Sequence, residues 1–360
     1  MATETCQISR KRLAVGWKAV GCWFWPFCKL RLYDGRFRPV LSFLFTDLAC
    51  NYRCYYCYGS HVPEDRGMTL ETARKSVNWL HSLGCRVLAF MGGEPLIRKR
   101  FILDVTRYAH ERGFYVYLPT NGALLDEGFV DEGAEAGVDL FNLAVDCIDE
   151  KPGLPKALNR IRSQYEMLRE KSSQSEFLVM FNVNITPRNV EDVKELTEIA
   201  YRDRVNVDYH VVEPPLNDQP HFATSRDEIG FLPDDYRKVD ELLDWLLAKY
   251  RQGYNIANSP HHFLTAKQFI RRQPIQWNCR AGINTLVIRT DGRLAPCFEF
   301  FNSPEDWGIV GEPKFDRQRL TEFKKQCNPH CLSTCNFTSA YYNDFTTILE
   351  WVGKYFRIRR

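Results

Sequence analysis

The chain has 360 residues, 44% hydrophobic and 26% charged, with 48 Lys and Arg against 45 Asp and Glu, a formal net charge of +3. A chain of this length buries roughly three quarters of its unfolded surface and needs no disulfide staples to hold a core. Its 13 cysteines, an odd number in so long a chain, argue against a small secreted disulfide scaffold and point to ligands.

The mild net charge conceals a polarised layout. Residues 8–40 carry eight Lys and Arg against Asp34 alone, and the last seven residues add Lys354, Arg357, Arg359 and Arg360, so an acidic body lies between two basic ends. The N-terminal end is also aromatic. Its longest charge-free run, Ala19 to Cys28, is far short of the ~20 residues a spanning helix needs. Lys18 and Trp23-Phe24-Trp25-Pro26 stand where a signal peptide would carry its apolar region and cleavage site. A cytoplasmic protein is expected. Trp17, Trp23, Phe24, Trp25 and Phe27 with Lys18, Lys29 and Arg31 form an amphipathic segment open to three readings. It is an interfacial anchor that makes the protein peripheral at the cytoplasmic face of a membrane. Alternatively, it packs over the mouth of the β/α unit that follows, with its aromatics in the core. The third reading is a surface for single-stranded nucleic acid, which is not expected as a partner.

From about Val40 short apolar runs alternate with amphipathic helices. Strands are expected at 41–45, 86–91, 114–118, 140–145, 177–184 and 206–212. A helix is expected over 69–83, with Leu70, Ala73, Val77 and Leu80 on one face and Gly84 as its stop. Asn189 is placed to cap the next clear helix, with Glu191 and Asp192 in its first turn. Six strands alternating with helices imply an α/β fold with a parallel sheet and right-handed crossovers, either open and doubly wound or a closed or partial barrel. Pro214-Pro215, Pro220 and the polar stretch to Arg226 read as a loop. A further helix starts near Pro233, buries Leu242, Leu243, Leu246 and Leu247, and ends at Gly253. Beyond about residue 256 the alternation ceases and cysteines return. The chain therefore divides into an N-terminal segment 1–39, a β/α core 40–255 and a C-terminal part 256–360.

Three cysteines follow the first strand as Cys50-x3-Cys54-x2-Cys57. A loop this short brings three thiolates to one place, which suits an iron–sulfur cluster. A zinc ion with His61 as fourth ligand is the competing reading. The second strand ends in Met91-Gly92-Gly93-Glu94-Pro95, the third in Pro119-Thr120-Asn121-Gly122 and the fourth in Val145-Asp146. In a parallel β/α unit the residues after successive strands line one mouth, where ligands bind.

This order of motifs resembles the radical SAM (S-adenosylmethionine radical) enzymes over about residues 40–215. The resemblance implies a partial (β/α)6 barrel in which Cys50, Cys54 and Cys57 hold a [4Fe–4S] cluster. The fourth iron of that cluster binds the methionine moiety of S-adenosylmethionine. Tyr56 would lie near the adenine, and Glu94 with the Gly92-Gly93 backbone would meet the methionine ammonium through charge-assisted hydrogen bonds. Thr120, Asn121, Asp146 and Asn184 would contact ribose or substrate, or cap backbone. The implied chemistry is reductive cleavage of S-adenosylmethionine to a 5′-deoxyadenosyl radical that abstracts hydrogen from a peptide, sugar or lipid. A donor such as flavodoxin or ferredoxin would supply the electron.

The C-terminal part carries Cys279-x12-Gly292-x4-Cys297 around a strand, Leu286-Val287-Ile288, and a turn, Asp291-Gly292, then Cys327-x3-Cys331-x3-Cys335. This resembles the SPASM/twitch extension of radical SAM enzymes, a small hairpin-plus-helix domain with an auxiliary [4Fe–4S] cluster, although that family's C-x2-C-x5-C element is missing. Five cysteines hold one cubane with one to spare. The resemblance favours Cys279, Cys297 and Cys335, with Cys331 ahead of Cys327. A zinc ribbon is the alternative there, and for the whole chain the alternative is a zinc-stabilised binding module without redox chemistry. Cys85 and Cys147 read as small core residues, while Cys6, Cys22 and Cys28 carry no assignment.

Overall fold

The structure, a computed structural model, describes residues 10–30, 37–57, 67–214, 216, 229–301 and 304–340. His61, Cys6, Pro215, Pro220, the stretch to Arg226 and the basic C-terminal residues lie outside them.

All six expected strands form: β1 (Leu41–Asp47), β2 (Val87–Gly92), β3 (Tyr115–Thr120), β4 (Val138–Ala144), β5 (Leu178–Ile185) and β6 (Asn206–Val211). They pair in parallel with their chain neighbours. The C-terminal hairpin, β7 (Thr285–Ile288) and β8 (Leu294–Ala295), extends the same sheet, with β7 parallel to β1 and β8 antiparallel to β7. The order is β6-β5-β4-β3-β2-β1-β7-β8, an open sheet of eight strands consistent with a partial barrel. The boundary near residue 256 does not coincide with a break in this sheet.

Side chains alternate between two apolar layers because strand residues point to opposite faces. Leu44, Leu88, Phe90, Val116, Phe141 and Phe181 meet the helices outside. Phe43, Phe45, Ala89, Tyr115, Leu140 and Met180 form a separate inner cluster. Outside, the helix Leu70–Ser82 buries Ala73, Val77 and Leu80, is capped by the Thr69 hydroxyl, which accepts from the Thr72 amide, and stops before Gly84 at φ +81°. The helix Pro233–Arg251 buries the four expected leucines. Asn189 does sit at the N-cap of the helix Val190–Arg202 but does not cap it. Its amide instead donates to the carbonyls of Asp146 (2.6 Å) and Asn184 (2.7 Å) and accepts from the Thr186 amide (2.8 Å), tying the ends of β4 and β5 together.

The N-terminal segment is a helix over Arg10–Ala19 and Trp25–Leu30, joined by a π-helical stretch, Val20–Phe24. It closes the barrel at the N-terminal ends of the strands, not over the mouth at their C-terminal ends. Val15, Ala19 and Cys22 join the inner cluster, and Trp23 packs edge-on against Tyr115 with centroids 6.4 Å apart. Lys18 Nζ donates to both oxygens of Asp139 (2.8 and 2.7 Å), which also accepts from the Val116 amide (2.8 Å). Burial pushes the Asp139 carboxyl up to about 6, although Lys18 pulls it down. Cys85 and Cys147 are fully buried core residues. Among the described residues no helix is long and apolar enough to cross a membrane.

The Lys18–Asp139 pair yields a pH-dependent expectation. Because the Asp139 pKa is raised on folding, the side chain is accommodated as the neutral acid at low pH, and stability is lost as it ionises with rising pH. Lys18 offsets that loss only once Asp139 is charged. Lys18→Met should therefore cost little near about pH 5 and about 2–3 kcal/mol near about pH 8 in urea unfolding. A penalty independent of pH would show that the pair is not what fastens the helix.

Candidate active site

The C-terminal ends of the strands converge on one cavity of about 390 Å³. After β1 the chain enters the cysteine loop, which three backbone hydrogen bonds fasten to its neighbours. The Gly93 amide donates to the Asp47 carbonyl (2.9 Å), the Glu94 amide to Ala49 (2.8 Å) and the Tyr55 amide to Gly153 (2.9 Å). Gly92 adopts φ +144°, where other residues are strained, and a Cβ on it would collide with the Asp47 carbonyl oxygen. A Cβ on Gly93 would strike the Ala49 carbonyl. The Gly-Gly pair is thus the surface against which the cysteine loop lies.

Glu94 is 2% exposed. Its Oε1 accepts from the Thr120 hydroxyl (2.7 Å) and the Leu96 amide (3.0 Å), and its Oε2 from the Asn121 amide (2.7 Å). Burial raises its pKa while these donors oppose the rise. Thr120 is therefore directed at Glu94. The Asn121 side chain donates to Asn51 (2.7 Å) and accepts from the Ala123 amide (3.1 Å). Both residues line the cavity while holding the strand ends together.

Tyr56 forms a second knot. Its hydroxyl donates to Asp146 and accepts from Lys156 Nζ (3.1 Å) and the Asn184 side chain (3.3 Å), while Asp146 Oδ1 accepts from the Asn184 amide (2.9 Å). Sequence reasoning missed Lys156, which lies in the loop after β4 and belongs to no motif. Burial disfavours its ammonium, but Cys54, Asp146, Cys57 and Cys50 outweigh that and hold it above the ordinary lysine range.

Cys50, Cys54 and Cys57 border the cavity together with Gly92, Gly93 and Glu94. Burial raises the Cys50 thiol and pushes Cys54 up to about 12, so both keep their protons until a metal displaces them. The Tyr52 amide already points at Cys50 Sγ (3.4 Å), as donors to cluster sulfurs do. Among the described residues no three His, Cys, Asp or Glu side chains form a group that could hold a single metal ion. Three thiols at the edge of an open volume, with a buried carboxylate and two side-chain-free residues beside them, fit a cubane with one open corner and a ligand carrying an ammonium.

The C-terminal cysteines divide differently from the expected grouping. Cys279, Cys297, Cys327 and Cys331 line a second, small cavity with Lys324 and Glu299, whereas Cys335 lines the main one. The reason lies in the local chain path. Cys327 ends the helix Arg317–Cys327 and Cys331 precedes the helix Thr334–Ala340, while Cys335 is already inside that helix, on the side of the inner cluster. Burial raises all four thiols of the group. Lys324 donates to the Cys279 carbonyl (2.9 Å), and burial lowers its pKa. Glu299 lines both cavities, and burial together with Glu299 pushes Glu213 up to about 8. No spacing pattern marks Lys324, Glu213 or Glu299 in the sequence.

Residues 48–220 match the Radical SAM superfamily. The chain is 26% identical over 274 residues to the AdoMet-dependent heme synthase of Methanosarcina barkeri, covering 69% of this chain and 73% of that protein. Its fold is similar to SuiB of Streptococcus suis bound to S-adenosylmethionine, with a TM-score of 0.61 at 15% identity over 79% of this chain and 66% of that one, just under two thirds. It is also similar to native anSMEcpe with bound AdoMet, with a TM-score of 0.58 at 18% identity over 86% of this chain and 96% of that one. Residues 48–220, just under half of the chain, thus match a radical SAM domain, and the enzymes of that superfamily use a [4Fe–4S] cluster and S-adenosylmethionine.

The Gly93 contact is testable. Gly93→Ala should leave far-ultraviolet circular dichroism unchanged but displace the cysteine loop, at about 1–3 kcal/mol for the forced overlap. Bound iron should fall, and calorimetric affinity for S-adenosylmethionine should drop about tenfold or more. Wild-type iron content and affinity in this variant would show that the close approach is dispensable.

Proposed function

We propose that this enzyme cleaves S-adenosylmethionine reductively and oxidises or forms a bond in a separate substrate by hydrogen abstraction. The observation that carries the reading is the shared cavity: the three thiols after β1 and the Gly-Gly-Glu turn after β2 border one volume. The cluster and S-adenosylmethionine, when bound, supply the radical chemistry. The chain's own residues do the rest. Cys50, Cys54 and Cys57 hold the cluster, the Glu94 carboxylate and Gly92-Gly93 backbone receive the methionine ammonium, and Tyr56 flanks the adenine. Asp146, Asn184 and Lys156 keep Tyr56 in place, while Thr120 and Asn121 brace Glu94. Cys279, Cys297, Cys327 and Cys331 hold an auxiliary cluster, with the half-buried Lys324 as counter-charge, and Cys335 faces the substrate.

Phe43, Phe45, Met91 and Phe298 give the substrate an apolar wall, and Asn182, Asp208 and His210 a polar one. The lining carries Glu94, Asp208 and Glu299 against Lys156 and His210, while Glu213 is held mostly as the neutral acid, a balance that favours a neutral or cationic substrate over a phosphorylated one. A peptide, sugar or lipid meets that description. A cytoplasmic flavodoxin or ferredoxin would serve as electron donor.

Anaerobically purified protein should contain about eight irons and eight sulfides per chain. The Cys50→Ala/Cys54→Ala/Cys57→Ala variant should fall to about four irons and release no 5′-deoxyadenosine. Cys327→Ala should disrupt the auxiliary cluster, while Cys335→Ala should keep about eight irons. The reverse result for those two variants would return the fourth ligand to Cys335. Formation of 5′-deoxyadenosine by the triple variant would sink the mechanism. Mass analysis of products from peptide, sugar and lipid pools identifies the substrate.

A further inference from the structure

The N-terminal helix has two faces, and the barrel uses only one. Val15, Ala19 and Cys22 are at most 7% exposed, and Lys18 is committed to Asp139. On the other side Trp17 is 66% and Trp25 60% exposed. Eight α-helical residues would turn the second tryptophan about 80° away from the first. The intervening π stretch, closed by the Trp25 amide donating to the Val20 carbonyl, advances less per residue and brings the two rings towards one stripe. Along the axis they stand about 12 Å apart. Lys29 Nζ lies 5.1 Å from the Trp25 ring centroid. In sequence the pair is bracketed by Arg10, Lys11 and Arg12 on one side and Lys29 and Arg31 on the other, with Asp34 the single acidic residue of 8–40.

We propose that this outer face is a docking site for an anionic lipid surface, with Trp17 and Trp25 at headgroup depth and the flanking cations against lipid phosphates. The barrel's N-terminal end then faces the membrane while the mouth holding the cysteine loop faces away from it. The charge bracket selects this occupant. Two exposed indoles alone fit any apolar partner, but indoles set between clusters of cations with almost no acid match an interface that is apolar below and anionic above. The site lies outside the matched segment 48–220 and is independent of the chemistry in the cavity.

The test is co-sedimentation of the anaerobically purified, cluster-loaded protein with two kinds of vesicle: phosphatidylcholine alone and phosphatidylcholine mixed with phosphatidylglycerol. The wild type should pellet with the mixed vesicles, be released by high salt, and remain in solution with the neutral ones. Trp17→Ala/Trp25→Ala should lower the partition coefficient at least about tenfold, with the cluster absorbance and melting temperature of the wild type showing that the fold is intact. Because both rings are exposed, this variant leaves the barrel closure in place. A Trp23→Phe variant, altered on the inner face, should pellet as the wild type does. Equal sedimentation of the wild type and the double variant overturns the proposal. So does equal binding to neutral vesicles, or retention on a single-stranded oligonucleotide without vesicle binding.

Discussion

The close approach of Gly92-Gly93 to the backbone at Asp47–Ala49 is the constraint on which the site depends. β1 and β2 are paired in regular parallel register up to Phe45 and Met91, and the register then shifts so that Asp47 faces Gly92. That shift releases the chain after β1 from the sheet, and two backbone hydrogen bonds recapture it one strand over. The two glycines serve different needs: Gly92 must adopt a positive φ, and both must offer no Cβ. Because backbone carries the contact, the three cysteines and their neighbours are free to point into the cavity. Glu94, the next residue, is delivered to the same place by the same joint.

Each cysteine group has one half-buried lysine beside it, and electrostatics gives the reason. Several thiolates in a low-dielectric setting repel one another and lose hydration, so a nearby ammonium lowers the cost of ionising them. Lys156 is set beside Cys54 and Cys57 through the Tyr56–Asp146 knot, and Lys324 beside Cys279 through its carbonyl. The two are not equivalent. Lys156 is held above the ordinary lysine range by its anionic neighbours, whereas burial prevails at Lys324 and lowers it. The ammonium at the second group is thus the less secure of the two until anionic sulfur accumulates around it.

Legibility in the sequence followed the range of the interaction. The six strands were readable because parallel strands covered on both faces are near-continuous apolar runs. The loop Cys50–Cys57 and Gly92-Gly93-Glu94 were readable because each sets its residue types at short fixed spacings, although their partners lie elsewhere in the chain. What escaped was decided across the fold. Asn189 has the right residue type and position to cap a helix, yet the nearby carbonyls of Asp146 and Asn184 offer its amide better partners. Cys331 and Cys335 are four residues apart, and only the start of a helix between them sends one to the second cavity and the other to the first. Lys156 carries no local signature because its role comes from residues 100 positions earlier.

The N-terminal helix shows how far the working unit extends beyond the segment that carries the motifs. Residues 48–220 supply the cysteine loop and the strand ends from β2 onward, but not the closure of the other end of the barrel. The proposed hydrogen abstraction would demand a cavity from which water is excluded, and an eight-stranded sheet that stays open leaves its inner layer accessible from below. Trp23 meets that need directly, since the same indole packs on Tyr115 and lines the cavity. β7 completes the opposite edge by pairing with β1, and Phe298 folds in against Phe43, with centroids 4.7 Å apart. Both closures come from parts of the chain that contain none of the three proposed primary cluster ligands. The proposed chemistry therefore draws on the central stretch, and the walls of its cavity on the two ends as well.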